Sequence, residues 1–144
     1  MKEMAKTELT VARLEIEKLV LNHLFDNVRD TDIKDIQDNV LKAKKTIESN
    51  IPAFDENIQF HKLLARASNN HVFVIVTESI MTVVAHFLTG HETDLEKSNN
   101  VVQYHEAILN AIRDGKRSEA ITLLGDHILE VERSLQISHQ NIDI

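Results

Sequence analysis

Cysteine is absent from the 144 residues, which excludes a disulfide scaffold, a thiolate zinc finger, an iron–sulfur protein and a cysteine nucleophile together. Any metal must bind through nitrogen and oxygen. Glycine occurs three times (Gly90, Gly115, Gly125) and proline once (Pro52), far below what a turn-rich β protein needs, so helix is the expected state nearly throughout. No apolar run approaches the roughly 18–20 residues of a membrane span. The opening Met1-Lys2-Glu3-Met4-Ala5-Lys6 lacks the apolar stretch of a signal peptide, so the expectation is a cytoplasmic protein without a membrane partner. Positive charge is in deficit: 16 Lys plus Arg against 23 Asp plus Glu leave a net charge of −7, the wrong sign for a domain that itself grips a phosphate backbone.

What remains is enough for one domain, which at this length buries about 68–70% of the surface of the unfolded chain. The few punctuating residues divide it. A first helix is expected from about Thr7 to Phe25, and a second, capped by Thr31 or Asp32, to about Ser49. Pro52 suits the first turn of a third, which runs to about Ser68. Asn69-Asn70 then stops that helix and caps the fourth, His71 to about Leu88. The fourth is apolar on most sides (Val72, Phe73, Val74, Ile75, Val76, Ile80, Met81, Val83, Val84), which predicts a central helix surrounded by the others. Thr89-Gly90 ends it. A fifth helix, starting within the polar stretch Glu92 to Asn100, carries Val101 to Arg113; Asp114-Gly115 stops it, and a sixth spans about Ser118 to Ser138. The predicted fold is all-α, a single antiparallel bundle of about six helices covering residues 1–144.

Three of the eight histidines fall on apolar stripes. His61 shares a face with Ile58, Leu64 and Ala65, and Asn57 lies one turn before it. His105 sits between Val101 and Ile108, and His127 between Leu124 and Val131. A buried imidazole alone is ordinarily a core residue whose nitrogens meet carbonyls or a carboxylate. Three from separate helices admit a second reading. Left unpaired, each would cost roughly 1–3 kcal/mol, and one shared divalent transition metal, Zn or Ni first among those that suit imidazole, would satisfy all three with the Asn57 oxygen beside His61. Periodicity does not show that the helices converge, so both readings stand. His23, His71, His91 and His139 read as surface positions, whereas His86 is placed to line a cavity. Arg13, on the stripe of Leu9, Ile16 and Val20, is either a snorkelling arginine paired with a nearby Glu or a bidentate clamp for a carboxylate.

The run Asn57-Ile58-Gln59-Phe60-His61 through Asn70, the stretch His105-Glu106-Ala107-Ile108 through Gly115, His127 on the last helix, and the opening Ala12-Arg13-Leu14-Glu15-Ile16-Glu17 together resemble the FCD domain. This is the C-terminal effector-binding domain of the FadR subfamily of GntR-type bacterial transcription regulators. The resemblance covers essentially the whole chain. It implies a helical bundle, dimeric in the family, that binds a small carboxylate metabolite in a central cavity above a divalent metal held by three histidines and an aspartate. His61, His105 and His127 match the histidines. Asn57 stands where the aspartate belongs, so the site would keep a net charge of about +2 rather than +1, holding metal less tightly and an anionic effector more strongly. The acid nearest in sequence, Asp55, points to another face. Family members carry a winged helix-turn-helix domain ahead of this one. None is recognisable here, so the expectation is an effector domain whose contacts with operator DNA belong to a missing N-terminal domain.

The site residues expected from the sequence are thus His61, His105, His127 and Asn57 for the metal, with Arg13 and His86 for the effector. Two alternatives remain at this point: a three-histidine metal-dependent hydrolase, disfavoured because neither His-Glu-x-x-His nor Glu-x-x-His occurs, and a ligand-free dimerisation bundle.

Overall fold

Helix ends lie where polar side chains or left-handed residues satisfy the backbone. The computed structural model describes residues 3–88 and 94–142, with side chains described over 6–88 and 94–134. Every regular element among them is a helix: α1 (Glu3–Asn27), α2 (Asp30–Glu48), α3 (Phe54–Ala67), α4 (His71–Phe87), α5 (Leu95–Arg113) and α6 (Arg117–Ile142). The Asn70 side chain accepts from the backbone N–H groups of Val72 and Phe73 and starts α4; Asp94 accepts from Lys97 and starts α5. Asn50, Asn69 and Gly115 adopt positive φ just after α2, α3 and α5, the left-handed step that closes a helix. Asn69 also donates to the Asn27 carbonyl at 2.8 Å, tying the α3–α4 turn to the α1–α2 turn. No helix among the described residues is long and apolar enough to cross a membrane.

The proline does not open α3 as expected. Ile51, Pro52 and Ala53 form an irregular lead-in, and Ala53 occupies the cap position, its N–H held by the Ser98 hydroxyl at 2.7 Å. The contact with α5 therefore decides where the helix begins, two residues after the ring.

The central helix is α3, which packs against α1, α2, α4 and α5. The expectation that α4 is central is corrected. Among the described residues it packs chiefly on α3 and α1, burying Thr77, Met81 and Val84, while Val72 and Ile75 are each 65% exposed and Val83 is also exposed. All-round apolarity signals that a helix is covered, but not that its own chain does the covering.

The main core joins Leu21 and Leu24 of α1, Ile36 and Val40 of α2, Phe60 and Leu64 of α3, Ile108 and Ile112 of α5, and Leu124 and Ile128 of α6. At roughly 1.5–3 kcal/mol for each fully buried large apolar side chain, this cluster holds the bundle. It also fixes what lies one turn further along each helix.

Candidate functional site

Above the apolar core, three imidazoles converge. His61, His105 and His127 are no more than 4% exposed, and a ring nitrogen from each lies within 4.8 Å of the others. His105 Nε2 and His127 Nε2 are 3.2 Å apart. Phe60 stacks flat on His105, centroids 3.8 Å apart, and fixes that ring from the core side. Burial lowers the pKa of His105 well below its ordinary value, with the neighbouring His127, His61 and Arg13 adding to the effect. Burial, then His61 and Arg13, does the same to His127. Both rings are therefore neutral near pH 7 and offer lone pairs, the form in which imidazole binds a metal.

His61 has a partner of its own. Its Nδ1 meets Glu17 Oε1 at 2.5 Å, and the other oxygen of Glu17 accepts from Arg13 Nε at 2.6 Å. Burial alone would raise the Glu17 carboxyl, but the Arg13 guanidinium and the His61 ring outweigh it and hold the group well below the usual carboxylate range. An ionised carboxylate only accepts, so His61 Nδ1 must carry the proton. In the neutral ring this leaves Nε2 with its lone pair.

Arg13 is 5% exposed and lines the cavity. Of its two sequence readings the pairing with a nearby Glu is found, though the side chain is buried rather than snorkelling. Its terminal nitrogens have no hydrogen-bond partner among the described residues.

Asn57 lies one turn before His61 on α3 and lines the same cavity. Its amide nitrogen donates to the backbone oxygen and hydroxyl of Ser98 at 3.3 and 3.2 Å. Among the described residues its buried Oδ1 has no partner, and neither does His127 Nδ1. Orphaned buried polar atoms of this kind are uncommon in folded proteins. Asp55 is exposed, in keeping with its different face.

The cavity holds about 130 Å³. Its apolar walls come from Phe54 and Ile58 of α3, Met81, Val84 and Leu88 at the end of α4, Val101 of α5 and Val131 of α6; Tyr104, Lys97 and Glu130 add polar groups. His86 is not among the lining residues. It is exposed in the last turn of α4, its ring 5.7 Å from that of Phe87, so the expectation that it lines a cavity is corrected. The face of α4 turned to the cavity is that of Met81 and Val84, and His86 lies off it. His23 and His71 are exposed as expected, whereas His91 and the side chain of His139 lie outside the described residues.

Glu17 is the site residue that stripe analysis of the histidines misses. Its signal is an acid four residues after Arg13, on the same helix face, within the Ala-Arg-x-x-x-Glu opening.

A histidine trio fits a nitrogen-ligated divalent metal on this geometry. Tetrahedral bonds of about 2.0–2.1 Å place neighbouring ligand nitrogens roughly 3.3–3.4 Å apart, close to the His105–His127 separation. The uncommitted Asn57 oxygen stands beside them, and Glu17 gives His61 the carboxylate partner that ligating histidines usually have.

Comparison with known proteins places the fold and the family. The family model of the FCD domain matches residues 8–130. The HTH-type transcriptional repressor NanR of Klebsiella aerogenes is 27% identical over 121 residues, 83% of this chain and 46% of that protein, so the chain spans under half the length of this relative. Among solved structures, E. coli McbR/YncC superposes with a TM-score of 0.82 at 15% identity, over 96% of this chain and 67% of the other. Streptococcus agalactiae GntR gives 0.75 at 19% identity, over 93% and 62%, and the metal-free FCD domain of TM0439 gives 0.74 at 23% identity, over 94% of both. These structures share the all-helical fold; the match over 8–130 goes further, and the chain belongs to the FCD domain family.

Proposed function

We propose that this chain is the effector-sensing domain of a GntR-type transcription regulator, taking a small organic acid into the cavity beside a divalent metal, zinc or nickel, at His61, His105, His127 and Asn57. The observation that carries the reading is the convergence of three buried imidazoles, two of them neutral, of which those of His61 and His127 line a largely apolar cavity. A bound ion supplies a Lewis-acidic contact for a carboxylate oxygen. The protein's own residues do the rest. Glu17 holds His61 in the tautomer that leaves Nε2 free, and Arg13 keeps Glu17 ionised. The terminal nitrogens of Arg13 offer a carboxylate two further donors in fork geometry. Because Asn57 brings no charge, the positive charge at the site is not cancelled by the ligand set, and an anion is the complementary occupant.

Sensing requires an occupant that binds two arrangements of the protein unequally. The Arg13–Glu17–His61 chain crosses from α1 to α3, so occupancy of the site bears on how α1 sits. DNA contacts would belong to an attached domain. The exposed row Val72, Ile75 and Val83 on α4, beside exposed Val11 and Leu19 of the adjoining α1, is suited to a second copy of the chain. Sedimentation should show a dimer that Ile75→Glu dissociates; a monomeric wild type would dismiss this interface.

The metal is tested by elemental analysis and thermal melting. Chelation should lower the melting temperature, and Asn57→Asp, which adds a negative charge, should tighten retention roughly tenfold or more in a competition titration. No bound metal at any loading, or melting indifferent to chelator, would remove the centre of the proposal.

A further inference from the structure

One residue of α5 meets the first turn of α3 through both its side chain and its backbone. Ser98 is 8% exposed, and its hydroxyl accepts from the Ala53 N–H at 2.7 Å and from the Asn57 amide nitrogen at 3.2 Å. Its backbone oxygen accepts from the same amide nitrogen at 3.3 Å. The bonding capacities match. A hydroxyl oxygen has two lone pairs, and each takes one donor; an amide nitrogen has two hydrogens, and Ser98 supplies an acceptor for each. The reversed amide would set its oxygen against a backbone carbonyl, which cannot donate, so the side chain has one favoured orientation. In that orientation the nitrogen is fully committed, while Asn57 Oδ1 is left buried with no partner among the described residues.

We propose that Ser98 is a positioning residue of the metal site, holding the Asn57 amide so that its oxygen, and not its nitrogen, is available to the ion. The inference rests on the reading that Asn57 is a ligand beside the three histidines. The two ends of an amide are nearly alike in size and shape, but only the oxygen carries a lone pair that a cation can use. An aspartate at this position needs no such help, since either of its oxygens can coordinate. An asparagine does, and the task falls to whatever binds its nitrogen. A cation on Oδ1 draws electron density from the amide and makes its N–H groups better donors, so the bonds to Ser98 and the bond to the ion reinforce each other.

Zinc affinity of the full chain would be measured by competition titration for the wild type, Ser98→Ala, Ser98→Thr, Asn57→Ala and Ser98→Ala combined with Asn57→Ala. Ser98→Ala should weaken zinc by about three- to tenfold, the effect of roughly one hydrogen bond. Ser98→Thr, which keeps the hydroxyl, should bind within about twofold of the wild type. Loss of the Ala53 bond should lower the melting temperature of Ser98→Ala with or without Asn57, so melting alone does not separate capping from positioning. The double-variant comparison does: on top of Asn57→Ala, Ser98→Ala should change zinc affinity by less than about twofold. Nuclear magnetic resonance of the wild type needs no substitution to be tolerated. The two side-chain amide protons of Asn57 should exchange slowly with water in the metal-free protein, and the nitrogen resonance should move on zinc loading. Wild-type affinity in Ser98→Ala, an equal loss with and without Asn57, or freely exchanging amide protons would overturn the positioning role and leave the three-histidine site standing. A wild type that takes up no zinc would overturn both.

Discussion

Along the bundle axis the two ends of this molecule are built on opposite rules from the same helices. At one end Leu21, Leu24, Leu64, Ile112, Ala120 and Leu124 close a core that is apolar throughout. At the other, one or two turns along, the inward positions are Arg13, Glu17, His61, His105 and His127, all buried, and of the three buried side-chain polar atoms without partners among the described residues, Asn57 Oδ1, His127 Nδ1 and Thr77 Oγ1, the first two belong to this end. Folding alone would favour extending the first pattern to the second end. The difference teaches where stability is made and where it is given up, and an incompletely satisfied polar interior is the mark of a place that awaits a ligand.

Substitutions at the two ends should therefore behave differently. Leu24→Ala, at the closed end, should cost about 2–5 kcal/mol in denaturant unfolding while leaving metal stoichiometry of the folded protein unchanged; loss of metal at full folding would show that the ends are not separable. His127→Leu, at the other end, should change the stability of the metal-free protein by no more than about 1 kcal/mol, because removing the orphaned Nδ1 is offset by leaving His105 Nε2, its partner at 3.2 Å, unpaired. The same change should abolish the increment in melting temperature that metal confers. It should also lessen acid sensitivity. His105 and His127 have folded pKa values well below the ordinary 6.5, so the unfolded chain binds more protons, and the stability present above pH 6.5 is lost as pH falls below it. Removing one of the two imidazoles should flatten that decline in melts of the apo protein. A destabilised apo variant with an unchanged pH profile would contradict the contrast.

Much of this division is legible in the sequence, for reasons specific to each residue. The stripes that place His61, His105 and His127 inward need only the 3.6-residue period, and the structure buries all three. Their convergence is tertiary and could not follow from periodicity; the matched spacing of a known family supplied that expectation. Glu17 escaped assignment because its role depends on α1 facing α3, a packing choice that leaves no trace in a helix apolar on more than one side. Central position was assigned to α4 because its composition does not reveal which chain covers it, and α3 takes that place by touching four neighbours. Pro52 marks a helix start to within two residues, but the hydroxyl of Ser98, forty-five positions away, selects the cap. His86 misled because a histidine near a helix end can turn to either side.

The clasp of Arg13 and Glu17 on the His61 ring gives α1 a fulcrum. Glu17 lies fourteen residues from the start of that helix at Glu3, which at about 1.5 Å per residue is an arm of roughly 21 Å. Pivoting by about 5° at the clasp would sweep the tip through about 2 Å on that arm, so a small tilt at the site would be enlarged at the far end of α1.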